Sequence, residues 1–84
     1  MKTTYIVQPF IRQGSGKTSK LITDTVIQCA TAEEAIRRAD RFSEIRAGVI
    51  AVSQEYDEDT GDYGELKVLA KYGEIPEGAV GGDD

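Results

Sequence analysis

The sequence predicts a two-layer α+β domain: one helix packed on a four-stranded, mainly antiparallel sheet, in the chain order strand, strand, helix, strand, strand (ββαββ). Three observations predict it. Runs rich in β-branched residues fall in pairs on either side of one segment of helical period. A short glycine-bearing connection separates the members of each pair. The length, 84 residues, leaves room for one domain.

The first strand is expected over 4–12, where Tyr5-Ile6-Val7 opens a run interrupted by Pro9. Residues 13–19 form a small Gly-Ser-Gly connection, and the second strand is expected over Leu21 to Cys29. The period then changes: Ala32, Ala35, Ile36, Ala39 and Phe42 recur at helical spacing, Ile45 extends the series, and the helix is expected from Ala32 to about Arg46. Thr31 and Glu34 have the spacing of a capping box, and Gly48 stands where a left-handed residue would close the helix.

The third strand, Gly48 to Tyr56, is the most apolar. In the fourth, Leu66, Val68, Ala70 and Tyr72 alternate with charged Glu65, Lys67 and Lys71, which predicts one dry face. An acidic turn with Gly61 joins the two. The domain is expected to run over 1–76, with 77–84 a flexible acidic, glycine-bearing tail. An all-antiparallel sheet would place the first and third strands in the middle, with Pro9 then marking a bulge; the spatial order stays open.

Composition removes several activities. There is no histidine, so the usual general base and the commonest metal ligand are both missing. Cys29 is the only cysteine, which forbids an internal disulfide and reads as a buried thiol. No acid–base pair can be assembled from the remaining groups, so the chain is expected not to be an enzyme and to carry no cofactor. The net charge is −5, divided as eight Lys/Arg against five Asp/Glu through Arg46 (+3) and two against ten from Ala47 onward (−8). An acidic chain is a poor candidate for nucleic acid or an anionic membrane. No apolar run approaches the ~20 residues of a membrane-spanning helix, and a cytoplasmic location is expected.

Two motifs resemble ligand loops. Gly14-Ser15-Gly16-Lys17-Thr18 matches the end of a phosphate loop, but the position of that motif's first glycine is Ile11 and a strand follows, so no nucleotide is expected there. Asp57-Glu58-Asp59-Thr60-Gly61-Asp62 has the density of a calcium loop, but its sixth position is Asp62 and its twelfth Val68, where glycine and glutamate are required. A charged hairpin turn accounts for it.

The informative feature is an apolar surplus. The first and third strands are apolar on both faces, and one helix covers one face of a sheet. Tyr5, Val7, Val49, Ala51 and Leu69 are expected on the uncovered side as an interface for protein association, most simply a homodimer. The alternative is nucleic-acid or regulatory binding through Lys17, Lys20, Arg37, Arg38 and Arg41, although Glu33–Arg37 and Glu34–Arg38 have the order of helical ion pairs. Asp24, inside the second strand, reads as an edge-strand charge that discourages aggregation.

The segments YIVQPF, TAEEAIRRADR, AGVIAV and YGEIP together resemble a family of small uncharacterised bacterial proteins, over Tyr5 to Pro76. The resemblance implies a ββαββ domain and brings no assigned activity or site residues. Tyr5-Ile6-Val7-Gln8 is also similar to the opening of peptidoglycan-binding SPOR domains, but those place a helix where this chain has a loop.

Overall fold

A computed structural model describes residues 2–76 of the chain, and the tail expected over 77–84 lies outside the described residues. The elements are β1 (Lys2–Gln13), a single 3-10 turn (Gly16–Thr18), β2 (Lys20–Thr23), β3 (Ile27–Cys29), α1 (Ala32–Phe42), β4 (Gly48–Tyr56) and β5 (Tyr63–Gly73). Every strand pair is antiparallel, in the order β2-β1-β4-β5, with β3 also pairing β1. The α+β class holds, with one helix on the sheet. The sheet has five strands rather than four, because the expected second strand divides at residues 24–26.

Pro9 explains the division. Asp24 N donates to Pro9 O at 3.0 Å, so the ladder at this pair would return a bond from residue 9 to Asp24 O. Proline has no N–H to give. The Gln8 side chain supplies it: Nε2 lies 2.9 Å from Asp24 O and 2.8 Å from Pro9 O. Beyond this point the register slips by one residue, from Phe10↔Thr23 to Val7↔Ile27. The Pro9 carbonyl points toward β2 and β3, so the ladder to β4 loses no donor there, and proline is tolerated in a central strand.

The helix starts as its capping chemistry dictates. Thr31 Oγ1 accepts from Glu34 N at 3.0 Å, while the Glu34 carboxylate reaches one residue past the cap and accepts from Ala30 N at 3.0 Å. It ends earlier than expected, at Phe42, and Ile45 is 67% exposed in the turn that follows. Gly48 is not a helix cap. It opens β4, and a Cβ there would collide with the Glu74 main chain. Its lack of a side chain lets the chain at Glu74 cross that end of the sheet, where Glu74 N donates to Ala47 O at 3.0 Å.

The core lies between α1 and one face of the sheet. Ala35 and Ala39 pack against Val7, Cys29, Val49 and Ala51, with Tyr5, Ile27, Phe42, Leu69, Ala70 and Tyr72 around them. Because the helix presents alanines, it sits close, and small Ala51 across from it permits that approach. Two register shifts interrupt the β4–β5 ladder. One inserts Leu69 between the pairs Val52↔Val68 and Ala51↔Ala70, so Leu66 and Val68 turn away from the helix while Ala70 and Tyr72 turn toward it. The expected single dry face of this strand is therefore split between both sides.

Candidate functional site

The structure inverts the expected assignment of faces. Val7, Val49 and Ala51 have no exposed surface, and Tyr5 and Leu69 are half-buried beside them, all within the cluster beneath α1. These five residues are core. The sheet face left uncovered by the helix belongs to their alternation partners, because each strand step of one residue changes face.

That far face has two halves. At the Gly48 end, Phe10 and Ile50 are 3% exposed. The crossing at Glu74 lies over Gly48, which pairs with Phe10, and Arg12 holds the crossing through Nε and Nη2 at 2.8 Å from Glu74 Oε1. At the other half nothing among the described residues lies on top. Ile6, Val52 and Val68 form one row across β1, β4 and β5, followed by Thr4, Gln54 and Leu66, then Lys2, Tyr56 and Tyr63. Leu66, Val68 and Tyr63 are 41%, 43% and 72% exposed. From strand geometry these rows span about 10 Å across the strands and about 14 Å along them. A groove runs down the end of this area, lined by Lys2, Thr4, Ile6, Gln54, Tyr56 and Tyr63, with the two tyrosine rings 5.1 Å apart at 50°.

The sequence points to the surplus but not to its side. Residues Ile6, Val52, Leu66 and Val68 escape a reading by alternation, because β1 and β4 are apolar on both faces and the Leu69 bulge has no signature of its own. The small residues Ala51 and Ser53 on one face of β4 are the one available signal, since an alanine-faced helix needs small partners.

The basic residues fall into separate groups. Lys17 and Lys20 are exposed at the β1–β2 hairpin, whereas Arg37, Arg38 and Arg41 lie on α1, which touches β1, β3, β4 and β5 but not β2. Arg38 Nε is 3.1 Å from Glu34 Oε2; among the described residues no ion pair joins Arg37 to Glu33. The stretch Gly14–Thr18 turns once and leads into β2, so the helix N-terminus a phosphate loop requires is not built there. In the acidic turn, Asp57 Oδ1 accepts from Asp59 N at 3.0 Å and Gly61 has φ 79°, the arrangement of a hairpin turn. Among the described residues no three His, Cys, Asp or Glu side chains are grouped so as to hold a metal.

Two polar groups have structural partners that the sequence does not disclose. Asp24 Oδ2 accepts from Arg46 Nε at 2.8 Å, tying the strand break to the segment that follows the helix, and the Arg46 guanidinium lies 5.6 Å from the ring centre of Phe42, the last helical residue. The Thr25 backbone N–H and then Arg46 hold the Asp24 carboxyl below its ordinary range. The reading of Asp24 as a charge guarding an edge is replaced by this link. Burial, and then the Glu34 carboxylate, push the Cys29 thiol up, away from reactivity.

No family model matches the chain, and no curated protein or solved structure matches it either.

Proposed function

We propose that this chain acts by association with a protein partner through the far face of its sheet, not by catalysis, and that its simplest partner is a second copy. The observation that supports this reading is the open half of that face: Ile6, Val52, Leu66 and Val68 adjoin one another with Tyr56 and Tyr63, while the only helix of the described residues occupies the opposite side. A contiguous apolar surface on a thin two-layer domain stabilises association when a partner excludes water from it.

The test uses Val68→Glu and Leu66→Lys. Both positions are exposed, so circular dichroism of the variants is expected to match the wild type. Affinity capture from the native cell extract, with sedimentation of the purified chain alongside, should show wild-type association that both variants lose. Variants that keep the fold and every partner would overturn the proposal.

A further inference from the structure

We infer that the partner on the far face is a second copy of this chain, stacked face to face with its strands reversed, about a twofold axis that crosses the strands above the Ile6–Val52–Val68 row. The inference rests on the association proposed above and specifies its geometry.

With the strands of the two copies near-aligned, two twofold axes can bring the same sheet face together: one along the strands, one across them. Charge separates the two. The β1–β2 hairpin and the β4–β5 hairpin project from opposite ends of the sheet, because Lys2 pairs with Tyr56 at one end and Gln13 with Lys20 at the other. Residues 57–62 carry Asp57, Glu58, Asp59 and Asp62 and no cation, whereas residues 14–20 carry Lys17 and Lys20 and no carboxylate. Lys2, which pairs with Glu58 at 2.9 Å, offsets one of the four carboxylates. An axis along the strands would set acidic turn against acidic turn. An axis across them keeps each strand's lateral place, so it brings the acidic turn of each copy to the same end of the stack as the lysines of the other, about 10 Å to the side, and like charges facing across an interface are the costlier arrangement.

The position of the axis follows from the register. Gln13, paired with Lys20, lies seven residues from Ile6, and seven residues the other way is three beyond Lys2, about 10 Å past the end of β1. That is where the turn 57–62 projects beyond Tyr56. The same axis resolves the one irregularity of the far face. The Glu74 crossing stands above Gly48, which pairs with Phe10, four residues from Ile6. Four residues the other way is Lys2, whose row with Tyr56 and Tyr63 closes the groove. The main-chain ridge of one copy at Glu74 thus meets the tyrosine-lined groove of its partner. Ridge and groove map onto each other through one axis, and the same axis brings the opposite charges to the same end of the stack.

The experiment measures dimer dissociation by sedimentation at low and at physiological salt, with far-ultraviolet circular dichroism to confirm the fold. Lys17→Glu/Lys20→Glu is expected to weaken the dimer about tenfold or more at low salt, and less at physiological salt, where charges beyond about 8 Å are screened. Adding Asp59→Lys/Asp62→Lys to that variant should recover most of the loss. Arg37→Glu/Arg41→Glu, an equal charge change on the outer helix, should leave the dimer unaffected. A wild-type chain that stays monomeric overturns the second copy as occupant, and the Val68→Glu capture test still judges the face itself. A dimer that Val68→Glu abolishes but that ignores the lysine reversals, or loses equally with the arginine control, overturns the reversed-strand arrangement and leaves the face as the association surface.

Discussion

Gln8 Nε2 lies 2.9 Å from the main-chain oxygen of Asp24, filling the place of the N–H that Pro9 cannot provide. This single side chain lets a proline occupy the central strand. Removing it leaves a half-buried carbonyl without its donor, which costs about 1–3 kcal/mol. Gln8→Ala should therefore lower the unfolding free energy by that order in urea titrations. In a Pro9→Val background residue 9 regains an N–H, and the same Gln8→Ala change should cost at least about 0.5 kcal/mol less. Strictly additive costs in this cycle would show that Gln8 does not substitute for the missing donor.

How much of this was readable in the sequence varies with the range of the interaction. The start of α1 at Ala32 follows from Thr31 and Glu34, three residues apart, and β4 follows from an apolar run bounded by Gly48 and Tyr56. Pro9 marks an irregularity, but the reply to it comes from Gln8 and Asp24, 16 residues apart, and so appears only once β1 and β2 are paired. The choice of covered face left one trace, the small residues Ala51 and Ser53 on one side of β4, and no apolar pattern to support it. Val49 and Ala51 are chemically as suited to a surface patch as Ile50 and Val52, and the bulge at Leu69 then moves Val68 to the side opposite Ala70. Gly48 was misread for a related reason: a glycine after a helix suggests a cap, whereas here the demand comes from Glu74, 26 residues later.

That demand can be measured. At Gly48 a methyl group meets main chain, not a side chain that could rotate away, so Gly48→Ala must displace the crossing at Glu74. Overpacking of this kind costs on the order of 1–3 kcal/mol. The displaced crossing also exposes Phe10 and Ile50, so the variant should bind more of a hydrophobic dye such as ANS. Gly61→Ala differs: nothing lies within 4 Å of its would-be Cβ, and its φ of 79° alone sets the cost. Replacing Gly61 with Asn should recover part of that loss, while Gly48→Asn should not. Equal behaviour at the two sites would contradict the steric role of Glu74.

Acid should destabilise the fold through three carboxylates. Asp24 is held low by the Thr25 N–H and Arg46, Glu34 by the Ala30 N–H and Arg38, and Glu58 by Lys2. Each has a folded-state pKa below its unfolded value, so its contribution is fully present above the unfolded pKa, near pH 4, and is lost as pH falls through the lower folded value. Urea midpoints should be flat from neutral pH to about pH 5 and decline below it. Asp24→Asn should make the acid limb shallower, because one of the three linked protons is removed. An unchanged limb would mean that neither the Thr25 N–H nor Arg46 holds the Asp24 carboxyl low in solution.

The assignment of faces is decided by two valines. Val49 has no exposed surface and packs with Ala35 and Ala39, whereas Val68, on the far face, is 43% exposed. Deleting two methyl groups from a closed core loses about 0.8 kcal/mol per buried carbon plus a cavity term, so Val49→Ala should cost about 2–3 kcal/mol. Val68→Ala leaves no cavity in the monomer and should change its stability by less than about 0.5 kcal/mol. Measured at low protein concentration, the contrast reports the fold of one copy; measured at high concentration, Val68→Ala should lose the extra stability that association confers on the wild type. Reversed costs for the two variants would put the helix on the other side of the sheet, with the apolar surface back at Val7, Val49 and Ala51.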